Sequence, residues 1–380
     1  MEYKRRRWGV NSCMQSYVYR KREREIRRYH PYRRPKRNEV SVDDIINDRW
    51  RYLGVGEIKQ REVKKLGDLI ECLERVETRE KLKRNIELDI LLEYLRELNG
   101  MIGMSGLKES IVHQLLYYLQ DLHDSEKRGE YMHMVLMGAP GTGKTEIAML
   151  LAKIYTTLGI VKSDNIRKVT RSDLIAGYLG QTALKTRELV ESSLDGVLFI
   201  DEAYSLGNGS NIGGGKDQYS KECLDTLCEL LSFYRSRIVV IVAGYENELY
   251  ESFFDQNQGL KSRFMWWHKL SNYTGMELCE IYKKKVKEID WMISSEVDMR
   301  ELERRFEKKR NKFENNGRDV EHLLLQCKIV HSRRIFEDGK RKRELNERDI
   351  KDGFEMYDES RKREKKEKED DNESYRHMYC

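Results

Sequence analysis

The sequence predicts an α/β protein: a parallel sheet flanked by helices, followed by a smaller all-helical domain. Three observations predict it. Four short apolar runs, "MVLM" (134–137), "IRKVT" (166–170), "VLFI" (197–200) and "IVVIVA" (238–243), have the length and composition of buried strands. Helical stretches such as "EIAMLLAKIY" and "KECLDTLCELLSFY" lie between them, and strands that alternate with helices pair in parallel. After residue 274 the strand signal stops. Three amphipathic segments follow: "GMELCEIYKKKVKEI", "DMRELERRFEKKRNKF" and "GRDVEHLLLQCKIVHSRRIF".

In chain order, residues 1–40 come first, with fourteen Lys/Arg against four Glu, a net +10 that leaves −4 for the remainder. Arginines interleave with tyrosines there, which suits phosphate contact and base stacking in a nucleic acid. A solvated, disordered arm or a targeting segment is the other open reading. Residues 41–98 read as a helical region that stops at Asn99-Gly100. Beyond it, Leu107, Ile111, Leu115 and Leu119 recur every four residues on one helix face. Only Pro140 interrupts the chain after Pro31 and Pro35, so long helices are permitted.

Composition narrows the setting. With 36% charged residues and no apolar run of spanning length, a membrane segment is not expected. The first residues are charged but lack the apolar stretch of a secretory signal. Seven cysteines (Cys13, Cys72, Cys223, Cys228, Cys279, Cys327 and Cys380) are scattered with no CxxC pair. They point to reduced thiols in a cytoplasmic compartment and away from a disulfide framework or a zinc site.

The chemistry concentrates in "GAPGTGKT", residues 138–145, which fits G-x-x-x-x-G-K-[ST] between a strand and a helix. Gly138, Ala139, Pro140, Gly141, Thr142, Gly143, Lys144, Thr145 and the following Glu146 form the candidate nucleotide-binding stretch. Backbone N–H groups of Gly141, Gly143, Lys144 and Thr145 would wrap phosphates at a helix N-terminus. Lys144 would reach the β and γ phosphates, and the Thr145 hydroxyl would bind Mg²⁺. "VLFIDEAY" delivers Asp201 and Glu202 to the C-terminal edge of a buried strand, where open α/β sheets bind ligands. Asp201 suits the Mg²⁺ shell and Glu202 the polarisation of an attacking water, so the pair points to hydrolysis.

A second stretch, "DLIAGYLGQTALKT", places Tyr178 and Leu179 between Gly177 and Gly180. Glycines mark a loop, and a loop aromatic is either tucked under the chain or offered to a partner.

Taken in order, "IGMSGLKE", "GAPGTGKTEIA", "GYLGQTALKT", "LFIDEAYSL", "VAGYENE", "GLKSRF" and "NGRDVEHLL" resemble the AAA+ ATPases of the CbxX/CfqX family, which includes the red-type Rubisco activases. The likeness spans about residues 95–337. It implies a P-loop NTPase large domain over 99–273 and a helical lid over 274–356, with a charged, disordered tail expected over 357–380. It implies ATP with Mg²⁺, and a hexameric ring of like subunits. It also implies that Arg263 is an arginine finger presented to a neighbouring subunit and that Arg318 is the sensor-2 arginine facing the γ phosphate. Tyr178, Leu179 and Gly180 fall at the family's pore loop.

Some positions depart from the family pattern. The sensor-1 place falls near "AGYENE", with Tyr245 and Asn247 both open. Trp266 and Trp267 follow Arg263-Phe264 and read as core or subunit-contact residues. The glycine-rich stretch near 207–217 reads equally as a second pore loop or a plain loop. The expected function is remodelling or threading of a protein partner. The alternatives are a nucleic-acid motor or loader that grips through residues 1–40, and a nucleotide-gated scaffold. An apolar Tyr-Leu loop favours polypeptide, because a nucleic-acid pore needs Lys/Arg to offset phosphate charge.

Overall fold

The computed structural model describes residues 63–75, 87–120, 122, 130–178, 180–207, 218–336 and 343–378. The basic arm, residues 41–62, Leu179 and the glycine-rich stretch 208–217 lie outside the described residues.

Five strands form one parallel sheet in the order β2-β3-β4-β1-β5. They are β1 (His133–Gly138), β2 (Ile166–Val169), β3 (Val197–Ile200), β4 (Val239–Gly244) and β5 (Phe264–Leu270). The first four coincide with the four apolar runs, and β3 and β4 are buried along their whole length. The fifth lies at the sheet edge and mixes buried, half-buried and exposed residues. Its two tryptophans pack on the fold. Trp266 Nε1 donates to Tyr118 Oη at 3.2 Å, and Trp267 stacks on Tyr250 at 5.8 Å.

From β1 the chain crosses to the β2 edge, returns through β3 and β4, then passes β1 to reach β5. Connections therefore leave β1 and β4 in opposite directions. That opens a crevice at their C-terminal ends, where open α/β sheets bind ligands.

Helices cover both faces. On one side α1 (Leu66–Glu74), α2 (Leu88–Gly100), α3 (Ser105–Leu119) and α4 (Lys144–Thr157) share a core with Phe199 and Ile241. The segment before residue 99 thus joins the sheet's own core through Leu69, Leu91 and Leu95. On the other side, α5 (Thr182–Ser192) and α6 (Gln218–Phe233) pack over Leu198 and Val240.

The second domain has its own core, built from α7 (Gly275–Glu288), α8 (Met299–Lys308), α9 (Gly317–Ile335) and α10 (Glu347–Met378). A capping box starts α7: Thr274 Oγ1 accepts from Glu277 N at 3.2 Å, and Glu277 Oε2 accepts from Thr274 N at 2.7 Å. The boundary expected at residue 357 falls inside a helix. A fourth helix begins at Glu347 and continues through Met378. The apolar stripe Ile350, Phe354, Tyr357 crosses the expected boundary at helical spacing and is buried. Just beyond it, Asp358 pairs with Lys309 and Lys312, both at 2.8 Å, and Arg361 pairs with buried Asp319 at 2.9 Å. The high charge of this stretch hides an anchored helix.

Candidate nucleotide site and its relatives

The glycine-rich loop wraps the C-terminal end of β1. Gly141 and Gly143 sit at φ +67° and +84°, a region costly for any side chain. Those angles turn the chain sharply enough to aim the free N–H groups at the start of α4 into the crevice. Lys144 Nζ bridges the loop, donating to the Gly138 and Ala139 carbonyls at 2.8 Å each. It also lies 4.8 Å above the Tyr245 ring. Its ammonium is held down at about 8, chiefly by burial; Asp201 and Glu202 raise it, and Arg318 adds to the lowering. A cation made uncomfortable by its surroundings is primed to take an anion.

Thr145 Oγ1 donates to Asp201 Oδ2 at 3.0 Å, so the two expected Mg²⁺ residues meet. Asp201 Oδ1 accepts from the Glu202 amide at 3.1 Å, and Lys168 Nζ stands 2.8 Å from Oδ2. Glu202 itself is left-handed, at φ 52° and ψ 45°. Non-glycine residues adopt such angles at a cost, and they cluster at functional sites. Here the turn lifts the carboxylate off the strand line.

Arg318 opens α9 and lines a cavity of about 240 Å³ with Lys144, Thr145, Asp201, Glu202 and Tyr245. No carboxylate among the described residues pairs with its guanidinium. Tyr245, one of two open sensor-1 residues, stacks on Tyr204 at 5.3 Å and lines this cavity, while Asn247 does not. A second cavity of about 210 Å³ adjoins the loop, walled by Ile102, Met104, Tyr273 and Ile281. Arg263 lies elsewhere, beside Phe264 at the N-terminal end of β5. Its Nε donates to Ser232 Oγ at 2.9 Å, and it also bonds Ser262 Oγ and the Gly259 carbonyl. Tyr178 is 73% exposed. A turn closes behind it, with Gln181 N donating to the Tyr178 carbonyl at 3.3 Å and Gly180 at φ +79°.

The lid grips the back of the loop through contacts that sequence reading missed. Three successive loop carbonyls each accept a donor from the lid or from Tyr273, which packs in the lid core. Pro140 O takes Asn316 Nδ2 at 3.1 Å, Gly141 O takes Gly317 N at 3.0 Å, and Thr142 O takes Tyr273 Oη at 3.1 Å. Asn316 is fully buried at φ 49° and ψ −118°, with its Oδ1 accepting from Tyr273 N at 3.1 Å. The dipeptide Asn316-Gly317 ahead of a helix was the available signal, but it reads as an ordinary turn. We expect Asn316→Ala to lower stability by about 1–3 kcal/mol, since it strands buried partners, and to weaken ATP binding. Thermal melting and nucleotide titration measure the two effects. Unchanged values in both would show the clamp to be incidental.

Two family profiles match the chain: the ATPase family associated with various cellular activities (AAA) over residues 134–260, and the AAA lid domain over 274–363. A putative cfxQ-like protein of Acanthamoeba polyphaga mimivirus is 38% identical over 295 residues, covering 76% of this chain and 70% of its own. Protein CfxQ of Xanthobacter flavus is 34% identical over 253 residues, 65% of this chain and 78% of that one. The ESX-3 secretion system protein EccA3 of Mycobacterium tuberculosis is 42% identical over 187 residues, 49% of this chain, but only 28% of EccA3 is spanned. A phosphate loop, an acidic strand end and a lid clamped to the loop are thus found where two family profiles and CfxQ relatives matched over most of their length agree, and the chain belongs to the CfxQ-type AAA ATPases, which are ATP hydrolases.

Proposed function

We propose that the chain hydrolyses Mg·ATP within a hexameric ring of like subunits and uses the energy to draw on an extended segment of a protein partner. The observation that carries this reading is Tyr178. It stands exposed at the start of a turn that leads into α5. Thr186 Oγ1 donates to the Leu174 carbonyl at 3.1 Å, and Lys185 Nζ to the Ile175 carbonyl at 3.0 Å. A rigid base and a projecting ring suit a grip on polypeptide through the ring face, which tolerates varied sequence.

The residues fit ATP and Mg²⁺. The apolar walls Ile102, Met104 and Ile281 offer a flat purine a place beside the loop. The N–H groups of Gly141 to Thr145 and the Lys144 ammonium receive the phosphates. Thr145 and Asp201 would hold Mg²⁺, which when bound neutralises phosphate charge. One carboxylate with one hydroxyl suits that ion, which takes its other ligands from phosphate and water. Glu202 accepts a proton from the attacking water, Arg318 faces the terminal phosphate, and Arg263 serves a neighbour's site. Among the described residues no helix is long and apolar enough to cross a membrane. The five described cysteines are free thiols, which supports a cytoplasmic setting.

The test is Tyr178→Ala, assayed for ATPase with unfolded polypeptide, single-stranded DNA and RNA. We expect polypeptide stimulation in the natural chain and its loss in the variant, with basal turnover and melting temperature retained. Tyr178→Phe should keep most stimulation. Stimulation by nucleic acid alone, lost on deleting residues 1–40, would replace this reading with a nucleic-acid motor.

A further inference from the structure

Asp201 has a cation of its own. Lys168 Nζ lies 2.8 Å from Asp201 Oδ2, the same oxygen that accepts from Thr145 Oγ1 at 3.0 Å. The other oxygen takes the Glu202 amide at 3.1 Å. Both carboxylate oxygens are therefore engaged, and the charge is met by an ammonium.

Strand register dictates this meeting. Lys168 on β2 is opposite Phe199 on β3, and Asp201 continues the ladder by donating its N–H to the Val169 carbonyl at 3.0 Å. Alternate residues of a strand share a face, so Phe199 and Asp201 point the same way. Lys168 crosses above the Phe199 ring, 5.8 Å from its centroid, to reach the carboxylate two residues on. Its side chain is 45% exposed, so water is a ready alternative partner.

We propose that Lys168 is a positioning residue: an internal counter-cation that holds the Asp201 carboxylate toward Thr145 and competes with Mg²⁺ for it. The inference rests on the reading of Asp201 as a Mg²⁺-shell carboxylate. An ammonium and a hydrated divalent ion both seek the same negative oxygen. The lysine end of this pair is open to water and salt while Asp201 is largely buried, so the divalent ion displaces the lysine into water at modest cost. That cost raises the Mg²⁺ concentration at which the site fills. Without Mg²⁺, the same ammonium offsets repulsion between Asp201 and the polyphosphate. Removing it therefore shifts the two states in opposite directions, which a merely structural lysine would not do.

The experiment titrates Mg²⁺ against the full-length chain and a fluorescent, non-hydrolysable ATP analogue, read by anisotropy. Lys168→Met should lower the Mg²⁺ midpoint roughly two- to five-fold, the range set by an exposed pair. The same variant should weaken binding of the analogue in EDTA. Lys168→Arg, which keeps the charge, should stay near the natural values, and added salt should shrink the Met effect. A Lys168→Met midpoint that is unchanged or higher, beside a shifted Asp201→Asn midpoint, overturns the role of Lys168 and leaves the Asp201 reading standing. An unshifted Asp201→Asn midpoint overturns that reading and the inference with it.

Discussion

Glu202→Gln should bind ATP as tightly as the natural chain yet turn it over at least about 100-fold more slowly, the share of a positioned general base. The groups that would hold the nucleotide are untouched by the change. Lys144 keeps its two loop carbonyls, and Thr145 keeps Asp201. Gln is nearly isosteric with Glu, but its amide does not take a proton from water. The left-handed backbone at Glu202 survives as well, because Ser205 N donates to its carbonyl at 2.8 Å whatever the side chain. Phosphate release under steady state and ATP affinity by equilibrium titration separate the two quantities. Lys144→Ala should show the converse, lost affinity, because it removes the cation that meets the phosphates. A Gln variant that hydrolyses at the natural rate would assign the base elsewhere.

That the phosphate loop and its acidic partner were readable in the primary sequence follows from their locality. The glycine positions, the lysine and the hydroxyl fall within eight residues, and Asp201-Glu202 follow directly on an apolar strand. The strands buried on both faces were readable for a like reason: a buried strand writes itself as an unbroken apolar run. Edge strand β5 does carry the apolar run "FMWW", but its two tryptophans read as core or subunit-contact residues, and His268 and Lys269 cut the run short.

The lid clamp lay further out of reach. Asn316 and Pro140 are 176 residues apart, and Tyr273 and Thr142 are 131 apart. No periodicity or spacing rule joins positions so distant. Lys168 was equally silent, since its meeting with Asp201 depends on strand register, which the sequence of either strand does not specify alone. In the C-terminal stretch the high charge outweighs one short stripe, Ile350, Phe354 and Tyr357, that packs the start of its helix.

Arg263→Ala should bind ATP normally and hydrolyse it some 10³-fold more slowly, the lower range for loss of an arginine finger. Its place in the fold makes the expectation specific. Phe264, the next residue, pairs with His133 at the first position of β1, while the phosphate loop begins at Gly138 on the last. A strand advances about 3.3 Å per residue, so roughly 17 Å of sheet lies between Arg263 and its own loop. That exceeds the reach of one side chain, so any catalytic role of Arg263 is exercised on another copy. Among the described residues its guanidinium bonds neutral oxygens, those of Ser232, Ser262 and Gly259, which leaves its charge for a partner. Mixing Arg263→Ala with Lys144→Ala subunits should then restore part of the rate. Some interfaces in the mixture combine an intact pocket from one variant with an intact arginine from the other. Arg263→Lys should not rescue the rate, because a point charge lacks the planar fork of the guanidinium. ATP should promote assembly by linkage, and light scattering at saturating ATP reads it directly. Thermal melting guards against a trivial cause, since the lost hydrogen bonds anchor the turn ahead of β5. A stable Ala variant with the natural rate, or a mixture no faster than its parts, would return Arg263 to the role of a loop anchor.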